Sequence, residues 1–337
     1  MTALLVASTG GHLKELHHLH KRLDGVDGPF RWVTFDTPQS RSLLDGEAVD
    51  FVPFVGGRDP LNVARNLGEA RRIFREREIE VVVSTGSSVA LPYFALARTR
   101  LLPCHFIESA ARIDGPSLTG RLMSRVPGVH LYAQYAAWAG GRWGFRGSVF
   151  DSFECRAADG ASPARIGRVV VSLGTYRGYP FTRLVRRLLD VLPKEAEVLW
   201  QTGDTDVSEL GIHGHCAIPE RDLTEAMREA DVVVAHAGVG TALAAFEVGK
   251  CPVLVPRRFS LGEHVDDHQI QIAEELANRG LSITVDADEL SHDHLLEAAG
   301  RRIGRPAQAP IFRTAGSPST AGSAVDGEPA SSFANSS

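Results

Sequence analysis

Cysteine is scarce and scattered in this chain. Cys104, Cys155, Cys216 and Cys251 are the whole set in 337 residues, and no two of them form a CxxC pair. That spacing excludes a cysteine-based zinc module and a disulfide scaffold, and it fits a reducing compartment. Long apolar runs are missing as well. None approaches the ~20 residues needed to cross a bilayer. The opening ALLVA runs straight into glycines, without the basic-then-apolar order of a secretory leader. The expectation is a cytoplasmic protein, soluble or peripheral on a membrane. A large excess of one charge is absent too. The net charge is −5, with 18 Lys and Arg against 14 Asp and Glu in residues 1–150, and 18 against 27 in residues 151–337. No nucleic-acid partner is expected from that balance, while the mildly basic first half leaves an anionic membrane surface open beside an ordinary solvated one.

What is present is enough apolar residue, 43%, for two cores in a chain longer than the ~100–200 residues of one domain. Short apolar runs alternate with amphipathic ones. Strands are predicted at 3–8, 31–36, 50–54, 80–86 and 104–109, with helices after TGGH, over 60–77 and over SSVALPYFALAR. A second series follows, with strands at 168–175, 197–203, 215–219, 231–235, 252–256 and 281–286, and helices over 181–192, 222–229 and 288–302. Such alternation specifies an α/β fold of two doubly wound, Rossmann-like parallel sheets. The expected organisation is a first domain over 1–158, a Gly- and Pro-rich linker over 159–167, a second domain over 168–304 and a disordered tail over 305–337. Two such domains face each other across a cleft, because parallel sheets bind ligands at the carboxyl ends of their strands.

The stretch from Asp231 to Pro256, DVVVAHAGVGTALAAFEVGKCPVLVP, organises the second half. A buried strand breaks at Gly238 and Gly240, a helix opens near Thr241, and Gly249 ends it before the next strand. Strand, glycine turn and helix together present free backbone N–H groups at a positive helix end, which suits phosphate. TGGHLKEL, with Gly10 and Gly11, repeats the device in the first half. Alone, either turn could serve chain reversal only.

Taken in order, ASTGGHLKEL, VVVSTGSSVALPYFALA and FIESAARIDGPSLTGRL, followed by VVVSLGT, QTG, AHAGVGTALAAFEVGKCPVLVPRR and GEHVDDHQ, resemble the GT-B glycosyltransferases of the MurG-like type. More closely still, they resemble a single-chain fusion of the two-subunit UDP-GlcNAc transferase of dolichol-linked oligosaccharide synthesis and its bacterial exopolysaccharide relatives. The resemblance spans residues 3 to about 290. It implies an inverting transfer of GlcNAc or another hexose from a UDP-sugar to a polyprenyl-diphosphate-linked saccharide, carried out peripherally at the cytoplasmic face of the membrane. No metal or cofactor is implied beyond the co-substrate, and a homo-oligomer is allowed.

Carried over by position, the resemblance places the donor diphosphate against Ser172 to Thr175, including Gly174, against Gly203 of QTG, and against His236, Gly238, Gly240 and Thr241. Pro219, Glu220 and Arg221 match the uracil loop, and Asp267 and Gln269 match the pair that holds the donor sugar. Ala244 stands where the related enzymes have a ribose-binding glutamate, which makes Glu247 the candidate substitute. His12 matches a cleft-facing histidine and is the candidate base, with a turn-capping role as its alternative; Glu108 is the rival base. On the acceptor and membrane side, Gly10 and Gly11 join Leu118, Arg121, Leu122, Met123 and Arg125, a mixture of apolar and basic residues suited to a bilayer surface.

Other constellations weigh less. Asp204-Thr205-Asp206 and the histidine groups 17, 18, 20 and 213, 215 read as solvated loops and faces rather than metal sites, and the arginines at 65, 71, 72 and 75 as a solvated helix face. The alternatives to lipid-linked transfer are a GT-B transferase for a soluble small molecule, a non-catalytic nucleotide-sugar-binding partner subunit, and a non-hydrolysing epimerase.

Overall fold

In the computed structural model, residues 2–56, 59–158, 165–175 and 178–315 are described. The first half builds a seven-stranded sheet in the spatial order Val49–Val52, Phe30–Phe35, Thr2–Val6, Ile79–Ser84, Cys104–Ile107, Val129–Ala133, Trp143–Phe145. Every neighbouring pair is parallel. The second half builds a six-stranded parallel sheet in the order Gly214–His215, Glu197–Gln201, Arg168–Ser172, Val232–His236, Val253–Val255, Ile283–Thr284. This is the two-sheet GT-B architecture. The central strands are apolar on both faces, as VVVS at 81–84 and VVVA at 232–235, because helices cover both sides.

Each sheet starts at its centre and winds outward in both directions. The order therefore reverses between Thr2–Val6 and Ile79–Ser84 in the first sheet, and between Arg168–Ser172 and Val232–His236 in the second. At such a reversal the loops leaving the two strands part to opposite faces and open a crevice. TGGH and Thr85-Gly86 leave the first reversal; SLGT and HAGVGT leave the second.

Several strands escaped the sequence reading, two of them in the first sheet. Val129–Ala133 and Trp143–Phe145 extend the first sheet through LYAQYAAWAGGRWGF, where polar and small residues interrupt the apolar run and the outer strand is only half-buried. Near the end of the chain, Arg301–Gly304 is a strand rather than the end of a helix, and it pairs antiparallel with Glu154–Ala157.

The expected disordered tail is a correction over its first part. Phe312–Arg313 pairs in parallel with Leu23–Asp24, and Phe312 is fully buried, its ring 5.5 Å from that of Tyr132. Arg22 Nε donates to the Pro310 carbonyl at 2.8 Å, and Ala315 N donates to the Tyr132 hydroxyl at 2.7 Å. One aromatic residue entering a pocket holds a segment whose average composition is polar. The rest of the expected tail, 316–337, and residues 159–164 of the expected linker lie outside the described residues.

One apolar cluster runs through both halves. Leu13, Leu16 and Leu19 of the helix Gly11–Leu19 join Phe153, Phe246 and the second sheet, with the rings of Phe153 and Phe246 5.2 Å apart. The seam between the sheets is thus packed core, and it fixes the cleft above it.

Candidate active site between the two sheets

Three glycine turns meet around the ring of His236. A Cβ on Gly174, whose φ is +77°, would stand 2.7 Å from His236 Cε1; one on Gly238 would run into the same ring, and one on Gly203 into the Gly174 carbonyl. Glycine is required at all three because the backbones close on one another and on the imidazole. His236 Nδ1 faces the Ser172 carbonyl at 3.3 Å, so that nitrogen carries the proton. Burial, with Arg257 nearby, holds the ring neutral and lowers its pKa to about 3.

Arg257 lies behind these turns. It is 4% exposed, and its guanidinium donates to the Leu173 carbonyl at 2.7 Å and to the carbonyls of Tyr179 and Glu263. Burial lowers its pKa to about 10, which leaves it charged near neutrality. A fixed cation beneath the SLGT turn adds positive potential where a diphosphate would rest. The sequence reading missed it, although VPRR directly after a buried strand was the available signal.

The helix Val239–Glu247 starts at Gly238 with no side-chain cap and no acidic residue in its first turn. The helix Gly11–Leu19 starts at Gly10 in the same way. Thr241 thus lies inside its helix, one turn from the N-terminus, instead of opening it. The two starts abut across the cleft: a Cβ on Gly240 would stand 3.3 Å from Gly11 Cα and N. Two uncapped positive helix starts thus adjoin, and an anion beside them relieves their repulsion. Thr175 is exposed and Thr241 half-buried beside these turns.

His12 sits at the other sheet's reversal. Its Nδ1 is 2.9 Å from the Thr85 carbonyl, and the Thr85 hydroxyl donates back to the His12 carbonyl at 2.7 Å. Gly86, at φ +118°, lies flat against the ring. With Nδ1 protonated toward Thr85, Nε2 keeps its lone pair, and burial lowers the pKa so that the neutral form persists. That arrangement is competent for proton abstraction.

Glu108 is not placed for the role of rival base. It is 1% exposed, and it accepts from Ser117 N at 2.9 Å, Ser117 Oγ at 3.1 Å and Ser109 N at 3.3 Å, beneath the helix Leu118–Met123. Burial raises its pKa, opposed by these hydrogen bonds. Glu15, unnoticed in the sequence, accepts from Ser109 Oγ, Ala110 N and Gln134 Nε2 at 2.7–2.9 Å. Burial pushes its pKa up to about 7. The two carboxyls clamp both ends of the 109–117 loop.

Glu247 is likewise a correction. It turns toward the first half, where His18 Nε2 lies at 2.9 Å and Lys14 Nζ at 3.5 Å; these partners lower its pKa to about 2 against its burial. Lys14, 1% exposed, also pairs with Glu220. Glu247, the ribose candidate, and Glu220, of the loop whose backbone was matched to uracil, are therefore joined through one buried lysine across the seam, a connection with no sequence signal because it links positions 14, 220 and 247.

Asp267 and Gln269 part company. Asp267 is exposed, lines a cavity of about 260 Å³ between the halves, and is oriented by Phe259 N at 2.8 Å. Gln269 is buried, and its Oε1 accepts from Arg257 N at 3.1 Å, so it braces the loop that carries Arg257. The cavity is also lined by Arg112 to Pro116 and Arg121 from the first half, and by Asp266, His268 and Gln271 from the second. Gln271 bonds Asp114 across it, and Arg112 approaches Asp266 at 3.9 Å.

On the acceptor side Leu118 is 60% and Leu122 40% exposed, with Arg121 and Arg125 also exposed. Met123 is a correction: at 4% exposure it packs in the first core with Val129 and Leu131. Asp206 caps its own loop through Ser208 N, and Asp204 accepts from Gly178 N of the loop that follows Arg168–Ser172, while His17 and His20 pack on Trp32. Among the described residues, His264, Asp266 and His268 bring three ligand atoms within 4.8 Å of one another. No helix of the described residues is long and apolar enough to cross a membrane.

The signature of the glycosyltransferase family 28 C-terminal domain matches residues 168–320. Over most of its length the chain is similar to two proteins named UDP-N-acetylglucosamine--N-acetylmuramyl-(pentapeptide) pyrophosphoryl-undecaprenol N-acetylglucosamine transferase. The one from Verminephrobacter eiseniae is 27% identical over 323 residues, covering 86% of each chain. The one from Shewanella amazonensis is 28% identical over 333 residues, covering 89% of each. The crystal structure of MurG from Acinetobacter baumannii superposes with a TM-score of 0.53 at 20% identity, over 88% of this chain and 89% of that one, and so shares the fold. With the glycine turns and the cleft they frame, this makes the chain a MurG-like GT-B glycosyltransferase whose second half carries a family 28 C-terminal domain.

Proposed function

We propose that the protein transfers a sugar, GlcNAc or another hexose, from its UDP conjugate to a polyprenyl-diphosphate-linked saccharide with inversion at the anomeric carbon. The observation that carries this reading is the meeting of two uncapped helix starts at Gly11 and Gly240, an anion site at the switch points of both sheets. Support for the donor and acceptor classes comes from the relatives, whose names specify UDP-N-acetylglucosamine and an undecaprenol-linked acceptor.

In this mechanism His12 Nε2 takes the proton of the acceptor hydroxyl while its oxygen attacks the anomeric carbon from the face opposite UDP. The bond to the diphosphate breaks, and the charge left on UDP is received by the backbone N–H groups of 239–241 and of the SLGT turn, with Arg257 behind them. Asp267 accepts from a donor hydroxyl. Leu118 and Leu122 enter the bilayer surface beside Arg121 and Arg125, which keeps the enzyme peripheral at the face where lipid-linked saccharides are presented.

UDP release by the purified chain, measured across a donor panel with lipid extract as acceptor, tests the transfer. His12→Ala is expected to lower kcat by about 10²–10⁴ with little change in donor KM; unchanged kcat removes His12 as the base. Leu118→Glu with Leu122→Glu is expected to abolish sedimentation with anionic vesicles while turnover of a water-soluble acceptor analogue persists. Vesicle binding that survives both changes overturns the membrane assignment.

A further inference from the structure

We propose that His264, Asp266 and His268 form a binding site for one divalent transition-metal ion, of the zinc and cobalt class, on the cleft wall, with an open position facing the cavity and suited to an oxygen of a diphosphate. The ligand atoms lie within 4.8 Å of one another. His264 Nδ1 stands 3.4 Å from Asp266 Oδ1, close to the about 3.4 Å that separates two ligands placed tetrahedrally at zinc bond lengths. His268 Nδ1 faces the same carboxylate, and the two rings are nearly perpendicular, 85°, with centroids 4.6 Å apart. Two imidazoles and one carboxylate favour zinc or cobalt over magnesium, calcium or manganese, which prefer oxygen shells.

The loop that carries these ligands is braced from behind. Glu263 is buried and accepts from Arg183 Nε at 3.0 Å and from Arg258 N at 3.0 Å. Arg257 Nη1 donates to the Glu263 carbonyl at 3.3 Å, and Gln269 holds Arg257 N. Such support orients ligands in metal sites. The charged groups around the site are mixed: Arg112, Arg121, Asp114 and Asp267 line the same cavity, with Arg112 3.9 Å from Asp266. A divalent ion held by one carboxylate leaves a positive centre, which with the two arginines can receive a diphosphate.

The probe is Zn(II) in equilibrium dialysis against the full chain after chelator treatment, with Co(II) absorption as the second readout. One equivalent is expected to bind. His264→Ala with His268→Ala should lose it, His213→Ala with His215→Ala should keep it, and the conservative Asp266→Asn should weaken it at least tenfold with the thermal midpoint of the metal-free protein unchanged. UDP and geranyl diphosphate are added to the cobalt form in separate arms. A band shift with either supports the open position and tells whether a donor-type or lipid-type diphosphate reaches it; bands that neither moves overturn it. Failure to bind one equivalent, or binding that survives the 264/268 double variant, leaves a hydrogen-bonded cluster only and overturns the site. The donor-sugar and His12 assignments rest on UDP release and stand or fall separately.

Discussion

His12 shows how a single residue's role follows from its immediate partners. The sequence offered it as a base or as a turn cap, and the structure gives it a cap-like bond through Nδ1 that leaves Nε2 available for chemistry. Because burial lowers its pKa below 6.5, the neutral form is retained as the pH falls through that value. The acidic limb of kcat/KM is therefore expected to have its midpoint below pH 6.5, and His12→Ala should erase that limb. A limb at or above 6.5 would mean that another group titrates. The glycines were the easiest residues to read, since Gly174, Gly203 and Gly238 are each demanded by a backbone or ring at contact distance. Glu108, Glu247 and Met123 were misread because a carboxylate's or thioether's direction depends on partners far away in sequence, and spacing alone does not supply that direction.

At the scale of elements, the helix Gly11–Leu19 does more than present TGGH. Its Leu13, Leu16 and Leu19 enter the core shared with the second sheet, while Lys14 and His18 reach Glu220 and Glu247 on two helices of the other half. The strands and helices were legible because buried parallel strands read as unbroken apolar runs. The ion pairs were not, because each joins residues more than 200 positions apart. Lys14→Met keeps the side chain's length but strands two carboxylates at the seam, and removing one partner of a buried pair costs about 3 kcal/mol. The expected result is a lower denaturant midpoint that adding Glu247→Gln partly restores. A Lys14→Met protein as stable as the parent would show that water screens both carboxylates there.

At the scale of the whole molecule, the chain ties its halves together more than once. The core crosses the seam through Phe153 and Phe246, Glu154–Ala157 pairs with Arg301–Gly304, and the segment after that strand returns to the first half. The two-sheet architecture was readable from alternation alone, whereas the return was hidden by a polar composition interrupted by one decisive aromatic residue. Phe312 is fully buried against Tyr132, and its neighbour Thr314 donates to the Asp24 carbonyl at 2.6 Å. Truncating a buried phenylalanine to alanine costs about 3–5 kcal/mol when the site cannot collapse. Here the strand pairing of residues 312–313 and the Arg22–Pro310 bond hold the backbone in place, so the pocket would stay open. Phe312→Ala is therefore expected to lower the unfolding free energy measured in guanidinium by an amount in that range, shifting the midpoint down, and to make the segment around Arg313 more susceptible to limited proteolysis. Phe312→Leu, which refills most of the volume, should recover the greater part of both effects. A midpoint that does not move with Phe312→Ala would mean that this returning segment contributes nothing to holding the two halves together.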